Sequence, residues 1–414
     1  MTNTDPSLRH GWHPVALSSD IGDEPVSVRL LGDLWVIARL DDRVTALADR
    51  CPHLLAPPST GRSDAPQHVC PYHGWRFVAS GACTAMSASG SGALRPERTR
   101  AAPAWGTTER HGLVWIAPEE PFADIIGLPE ADDPSFDSRW LDVTRSPACA
   151  AVLVDDLLDA ANLPFVHPSV VCTDPIRTGP IRIGVGGVGG VGEQTITLRR
   201  SIAADGDGFR IRMEQTVTNS GKPAAAAGPR PPSGRHRSTC TYRPPFQLRL
   251  VLEYPDVGIT STIFFCLQPE DAASTRIYAR LLRNDLGGNP DRLAEAARIE
   301  QVILDLHLAA RQRRPLDGLP LTPTGCGTNE AGADADMHTD GMHADGMPTS
   351  VQANGMPADG IPIGVQSDGV QSDAAGIALR RALSALVERA RRTPTRDRPS
   401  GIRYARRAKA GSRP

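Results

Sequence analysis

The chain has 414 residues, of which 40% are hydrophobic and 22% charged, so it can bury a sizeable core; at roughly 100–200 residues per domain it has room for two domains and further material. Forty-five Lys and Arg against 47 Asp and Glu give a formal net charge of −2, which excludes a broad electrostatic attraction to nucleic acid or to an anionic membrane surface. With no apolar run of about 18 residues, no basic-then-apolar secretory start in Met1 to Pro6, and only eight cysteines, the reading is a cytoplasmic protein with neither a membrane span nor a disulfide scaffold.

Residues 1–9 read as an arm and 10–118 as a compact β domain. Val26 to Leu31 and Leu34 to Arg39 are β-prone runs around Gly32-Asp33, which suits a hairpin turn. Arg43 to Leu47 follows Asp41-Asp42, and Gly112 to Ala117 is a further strand-like run ended by Pro118. In residues 119–322, Ala151 to Asn162 is apolar and acidic at helical spacing. Strand candidates follow at 194–198, 209–213, 248–254, 259–267 and 276–282. A long helix is predicted from Asp291 to Arg314, with Leu293, Ala297, Val302, Leu304 and Leu308 as its apolar positions. Strands followed by a helix give an α+β layer arrangement. Gly184 to Gly192 and Gly221 to Arg237 read as loops.

Residues 323–376 carry an irregular repeat typified by Ala344-Asp345-Gly346-Met347 and Ala358-Asp359-Gly360-Ile361, without aromatic residues. Such a composition buries too little apolar surface to offset its ordering entropy, so the segment is expected to be disordered, with His338 and His343 simply solvated. A last helix is predicted at 377–392, with Leu379, Leu383, Leu386 and Val387 on one side, followed by a basic disordered tail, 393–414. No aromatic interleaving accompanies that charge, so a solvated terminus is the reading.

The chemistry is concentrated in Cys51-Pro52-His53 and Cys70-Pro71-Tyr72-His73-Gly74-Trp75, a Cys-x-His and a Cys-x2-His loop separated by sixteen residues. Two thiolates and two imidazoles can hold a zinc ion or a two-iron cluster. In a Rieske [2Fe–2S] centre two Cys hold one iron and two His the other, and these loops supply that set, one of each type apiece. Structural zinc sites start from Cys-x2-4-Cys or end in His-x3-5-His, neither of which occurs here. Gly61 and Gly74 suit tight turns beside a cluster. Cys83, Cys149, Cys172, Cys240, Cys266 and Cys326 show no pairing signal.

These residues, with Gly61 and the continuation Arg76-Phe77, resemble the Rieske domain of Rieske non-haem iron oxygenases, in the branch that includes vanillate O-demethylase and pheophorbide a oxygenase. Trp12-His13-Pro14-Val15 and Gly112-Leu113-Val114-Trp115 are similar to that family too. The resemblance covers roughly 10–318, with a trace at 377–391. It implies an N-terminal all-β Rieske domain followed by a catalytic domain with an antiparallel sheet flanked by helices. It also implies a second cofactor, a mononuclear Fe(II) on a 2-His-1-carboxylate triad. The family pattern Asn-x2-Asp-x2-His-x4-His falls on Asp156, Asp159, Asn162 and His167. Asp159 thus takes the place of the carboxylate that bridges electrons to the iron from a neighbouring subunit's cluster. His167 takes the place of one His ligand, and Asn162 replaces the other with a weaker amide donor.

The family's third ligand is an Asp on the late helix. A register anchored on Gln312 places Asp305 there; an ungapped register from Glu300-Gln301 places His307 there. The two are about 200° apart around a helix and cannot face one iron together. Chemistry prefers Asp305, which restores a carboxylate. The resemblance further implies a homotrimer, O2 as oxidant, an aromatic or secondary-metabolite substrate that is hydroxylated or O-dealkylated, and electrons from a separate reductase or ferredoxin. The glycine run 184–190 does not form a dinucleotide fingerprint. The competing reading is a Rieske electron-transfer or scaffold protein whose mononuclear site has decayed.

Overall fold

Three two-residue turns set the N-terminal half. Leu31-Gly32, Asp41-Asp42 and His111-Gly112 all have positive φ at both positions. Left-handed pairs of this kind match the right-handed twist of the strands they join. The structure, a computed structural model, describes residues 1–85, 100–158, 194–219, 234–311, 318–321 and 369–393.

The strands so joined are β1 (His13–Leu17), β2 (Val26–Leu30), β3 (Asp33–Leu40), β4 (Arg43–Ala48), β5 (Arg62–Asp64), β6 (Gln67–Val69), β7 (Arg76–Phe77), β8 (Cys83–Ala85), β9 (Gly106–Arg110) and β10 (Leu113–Ala117). They form three small sheets in the orders β1-β10-β9, β2-β3-β4 and β5-β6-β7-β8. The first hairpin turn lies at Leu31-Gly32, one residue before the expected Gly32-Asp33, because Leu30 pairs with Asp33.

The second half holds β11 (Asp137–Trp140), β12 (Thr144–Ser146), α1 (Ala150–Leu158), β13 (Gln194–Asp205), β14 (Gly208–Asn219), β15 (Gly234–Arg243), β16 (Gln247–Tyr254), β17 (Ile259–Asp271), β18 (Ser274–Arg283), α2 (Pro290–Arg311) and α3 (Gly369–Arg392). Its strands make one antiparallel sheet, β11-β18-β17-β16-β15-β14-β13, with β12 also paired to β18. The expected α+β arrangement, an all-β half followed by an antiparallel sheet with helices, is therefore present.

The halves share a core. One apolar cluster joins Leu8, Val15, Val28 and Leu30 to Phe246, Leu267, Ile277 and the α1 residues Ala150 to Val154. β17 is buried along most of its length because β1, β2 and α1 all pack on it. The first hairpin turn is bonded to it: Leu31 and Gly32 donate to the Pro269 and Glu270 carbonyls, both at 2.8 Å. Asn3 locks the start of α1. Its Oδ1 accepts from the Ala150 N–H (2.8 Å), while its Nδ2 donates to Asp271 O, Ser274 O and Thr275 Oγ1.

Two expectations change. Residues 221–237 read as a loop, but β15 begins at Gly234, since its backbone bonds to β14 and β16 on either side and its far end buries Thr241 and Tyr242. The last helix begins at Gly369, inside the stretch expected to be disordered. Ala375 extends the stripe Leu379, Leu383 and Leu386 by one turn, and all four are buried. Residues 322–368, the tail from 394, the glycine run 184–192 and the end of the predicted helix 151–162 lie outside the described residues.

Candidate metal centre

The two Cys/His loops are built on the same plan. In the first, the Cys51 N–H donates to Ala56 O and the Leu55 N–H to Cys51 O, both at 2.9 Å. In the second, the Cys70 N–H donates to Trp75 O (2.8 Å) and the Gly74 N–H to Cys70 O (3.0 Å). Gly74 has φ 65°, which glycine adopts without steric cost. Each loop is thus closed by two backbone bonds, both made by its cysteine.

Three contacts fix one loop against the other. Gly61 packs so tightly under the second loop that a Cβ there would sit 2.0 Å from the Val69 carbonyl oxygen. Asp49, which is buried, accepts from the Ser59 N–H (2.8 Å), the Ser59 hydroxyl (2.6 Å) and the Ser27 hydroxyl (2.9 Å). A ring nitrogen of buried His68, Nε2, bonds to Pro58 O at 2.7 Å.

The four expected ligands come together, two by two. Cys51 and Cys70 are buried and hydrogen-bonded to each other, and burial pushes the Cys51 thiol up to about 12. The imidazoles of His53 and His73 lie 4.6 Å apart, on the outer side: His53 is exposed and His73 half-buried. Trp75 stacks flat on His53 at 4.6 Å, with 5° between the ring planes, and Tyr72 meets His73 edge-on at 4.2 Å. Leu54, Leu55 and Tyr72 are exposed around this rim.

This donor set fits a Rieske cluster. The Cys51 thiol, in an apolar cluster with Cys70, Val36, Leu47 and Phe77, resists ionisation until a cation shares its charge. Among the described residues no three His, Cys, Asp or Glu side chains converge as a single ion requires. Pairing thiol with thiol and imidazole with imidazole is what a centre of two irons needs.

The second group of expected residues is only partly described. Asp159, Asn162 and His167 lie outside the described residues. The late helix, α2, separates its two candidates. Asp305 is exposed and accepts from Gln301 Nε2 at 2.8 Å, the same Gln301 whose Oε1 accepts from the Asp142 N–H. His307 turns the other way and lines a narrow pocket with Asp156 of α1, closed by Leu153, Leu157, Ile277, Leu304 and Leu308.

Sequence reasoning passed over Asp49 and gave Asp156 a place in the family pattern but no role. Asp49 carries no motif signal, since nothing local shows that Ser27 and Ser59 converge on it. Asp156 left a faint one: a carboxylate between Leu153 and Leu157 on an apolar helix.

A family model described as Rieske [2Fe–2S] domain matches residues 11–96, and one described as vanillate O-demethylase oxygenase C-terminal domain matches residues 146–305. The chain is similar to methylxanthine N1-demethylase NdmA of Pseudomonas putida, 30% identical over 42% of this chain and 51% of the relative. It is similar to the oxygenase component of dicamba O-demethylase from Stenotrophomonas maltophilia, 32% identical over 40% of this chain and 50% of the relative. The chain thus spans about half the length of these curated relatives. Among solved structures it superimposes on NdmA with theobromine at a TM-score of 0.61 and 21% identity, covering 77% of this chain and 85% of the other. The likeness to dicamba monooxygenase bound to dicamba has a TM-score of 0.53 at 20% identity, over 75% of this chain and 92% of the other. Both show a shared fold.

Proposed function

We propose that this chain, which matches the Rieske [2Fe–2S] domain and the vanillate O-demethylase oxygenase C-terminal domain, is the oxygenase component of a Rieske-type monooxygenase. Its substrate is a small aromatic or secondary-metabolite molecule, hydroxylated or O-dealkylated with O2 and electrons from a separate reductase or ferredoxin. When bound, the cluster supplies one-electron transfer and the mononuclear iron supplies oxygen activation.

The observation that carries the proposal is the paired arrangement of Cys51 with Cys70 and His53 with His73. The cysteines would hold the cluster from the buried side. The histidines, which lie nearer the surface, would hold it from the outer side, where an electron donor or acceptor could approach. Trp75 fixes the plane of the His53 ring. Asp159 is proposed to pass electrons onward, with the bridge crossing between the subunits of a homotrimer. No described helix is long and apolar enough to cross a membrane; we propose a cytoplasmic location.

Metal analysis of anaerobically purified protein tests this reading. About three irons for two acid-labile sulfides per subunit supports an oxygenase. About two irons for two sulfides supports the cluster-only electron-transfer reading, which the amide at Asn162 favours. One tightly bound zinc with no sulfide refutes both.

A further inference from the structure

Deepening the cluster reading, on which it rests, we infer that Asp49 tunes the Rieske centre: its buried negative charge lowers the reduction potential, so that the centre passes its electron onward more readily.

Asp49 stands two residues before Cys51, so no more than about 7 Å separates their Cα atoms. In sequence it lies between Leu47 and Cys51, which share one apolar cluster with Cys70. It is only 7% exposed. Both of its carboxylate oxygens accept: Oδ1 from the Ser59 N–H, and Oδ2 from the Ser59 and Ser27 hydroxyls. Three donors shared over two oxygens suit a carboxylate, since a protonated acid has a hydrogen of its own to place. All three donors are neutral. His68, whose ring is close enough to feel this charge, bonds to Pro58 O instead, and the adjacent Arg50 is exposed. The carboxylate is therefore held by hydrogen bonds rather than offset by a cation among the described residues.

A charge in such surroundings acts through a low dielectric with little screening by salt. Two neutral imidazoles give a Rieske centre less negative charge, and hence a higher potential, than four thiolates would. Reduction adds one negative charge, which a nearby carboxylate opposes. Asp49 thus offsets part of what His53 and His73 contribute. It touches no reacting atom, and it acts through the cluster as a positioning residue for charge.

The test is a redox titration of the cluster in full-length protein at a single pH, followed by the rhombic signal of the reduced centre. Asp49→Asn keeps the size and one acceptor oxygen but removes the charge, and its midpoint potential is expected to rise. Asp49→Glu keeps the charge and stays closer to the wild type. Ser27→Ala and Ser59→Ala each take a donor from the carboxylate, leave its charge less offset and lower the potential. Loosened loops alone would move all these variants in one direction, whereas a charge gives opposite signs. The rise in Asp49→Asn persists in about 1 M salt, which screens exposed charges within about 3 Å. An Asp49→Asn potential that is unchanged or lower overturns the inference, as does a failure of both Ser variants to lower it. Either result leaves the oxygenase reading intact, because that reading is tested by the ratio of iron to sulfide. A wild type without sulfide overturns both. Should Asp49→Asn hold no cluster, the two Ser variants decide alone by the same criterion.

Discussion

Gly61→Ala probes the junction of the two cluster loops. The added Cβ would lie 2.0 Å from Val69 O, 3.0 Å from Pro58 O and 3.1 Å from Pro71 Cδ, and the first two are backbone oxygens that cannot rotate away. To reach ordinary contact near 3.4 Å, Val69 has to retreat by more than about 1 Å. Val69 precedes Cys70, so the retreat is passed to a ligand whose geometry tolerates only about 0.5 Å of error. Overpacking costs about 1–3 kcal/mol, and a backbone clash belongs at the upper end. For a unit of 150–250 residues, about 3 kcal/mol lowers the melting temperature by roughly 6–12 °C. The assay is thermal unfolding followed by near-UV circular dichroism, alongside sulfide content and visible absorption of the cluster. Gly22→Ala is the control: nothing lies within 4 Å of its Cβ position, so its effect stays within about 0.5 kcal/mol. If both variants melt like the wild type and carry a full cluster, the reasoning about loop packing is wrong.

Cys70→Ala should abolish the rhombic low-temperature signal of the reduced cluster, and His73→Cys should keep a cluster but lower its potential by on the order of 100 mV, since a thiolate adds negative charge; redox titration reads the latter. Asp49→Ala strips acceptors from the Ser59 N–H and two hydroxyls and should cost about 1–3 kcal/mol in urea unfolding at constant slope. His13 is fully buried and its imidazole is lowered from 6.5 to about 4, chiefly by burial. Below pH 6.5 the unfolded chain takes up a proton that the folded one refuses, so stability present above that pH falls as pH drops towards 4, by about 3 kcal/mol. A His13→Phe variant should lose that part of the pH slope in urea midpoints, and an unchanged slope would refute it. Finally, Asn162→His places an imidazole where the family pattern has one, and ferrous iron content should rise towards about three per subunit.

The cluster half of this protein could be read from sequence because its information is local. The spacing within Cys51-Pro52-His53 and Cys70-Pro71-Tyr72-His73 fixes what each loop offers, and short turns carry their own residue chemistry, so the hairpin turn was placed to within one residue. The longer periodic strands and helices were legible for the same reason, since periodicity is a property of consecutive residues, whereas β15 and the short strands β5 to β9, β11 and β12 were not. What lay beyond reach depended on which face meets which neighbour. Helical geometry says that Asp305 and His307 point apart, yet only the packing of α2 beside α1 and β18 turns His307 inward and leaves Asp305 in solvent. Asp49 gains meaning only when Ser27 and Ser59 are brought to it, and Asp156 only when a residue about 150 positions away closes the same pocket. Contacts between distant segments are decided by the burial of the whole core, and no window of sequence contains that.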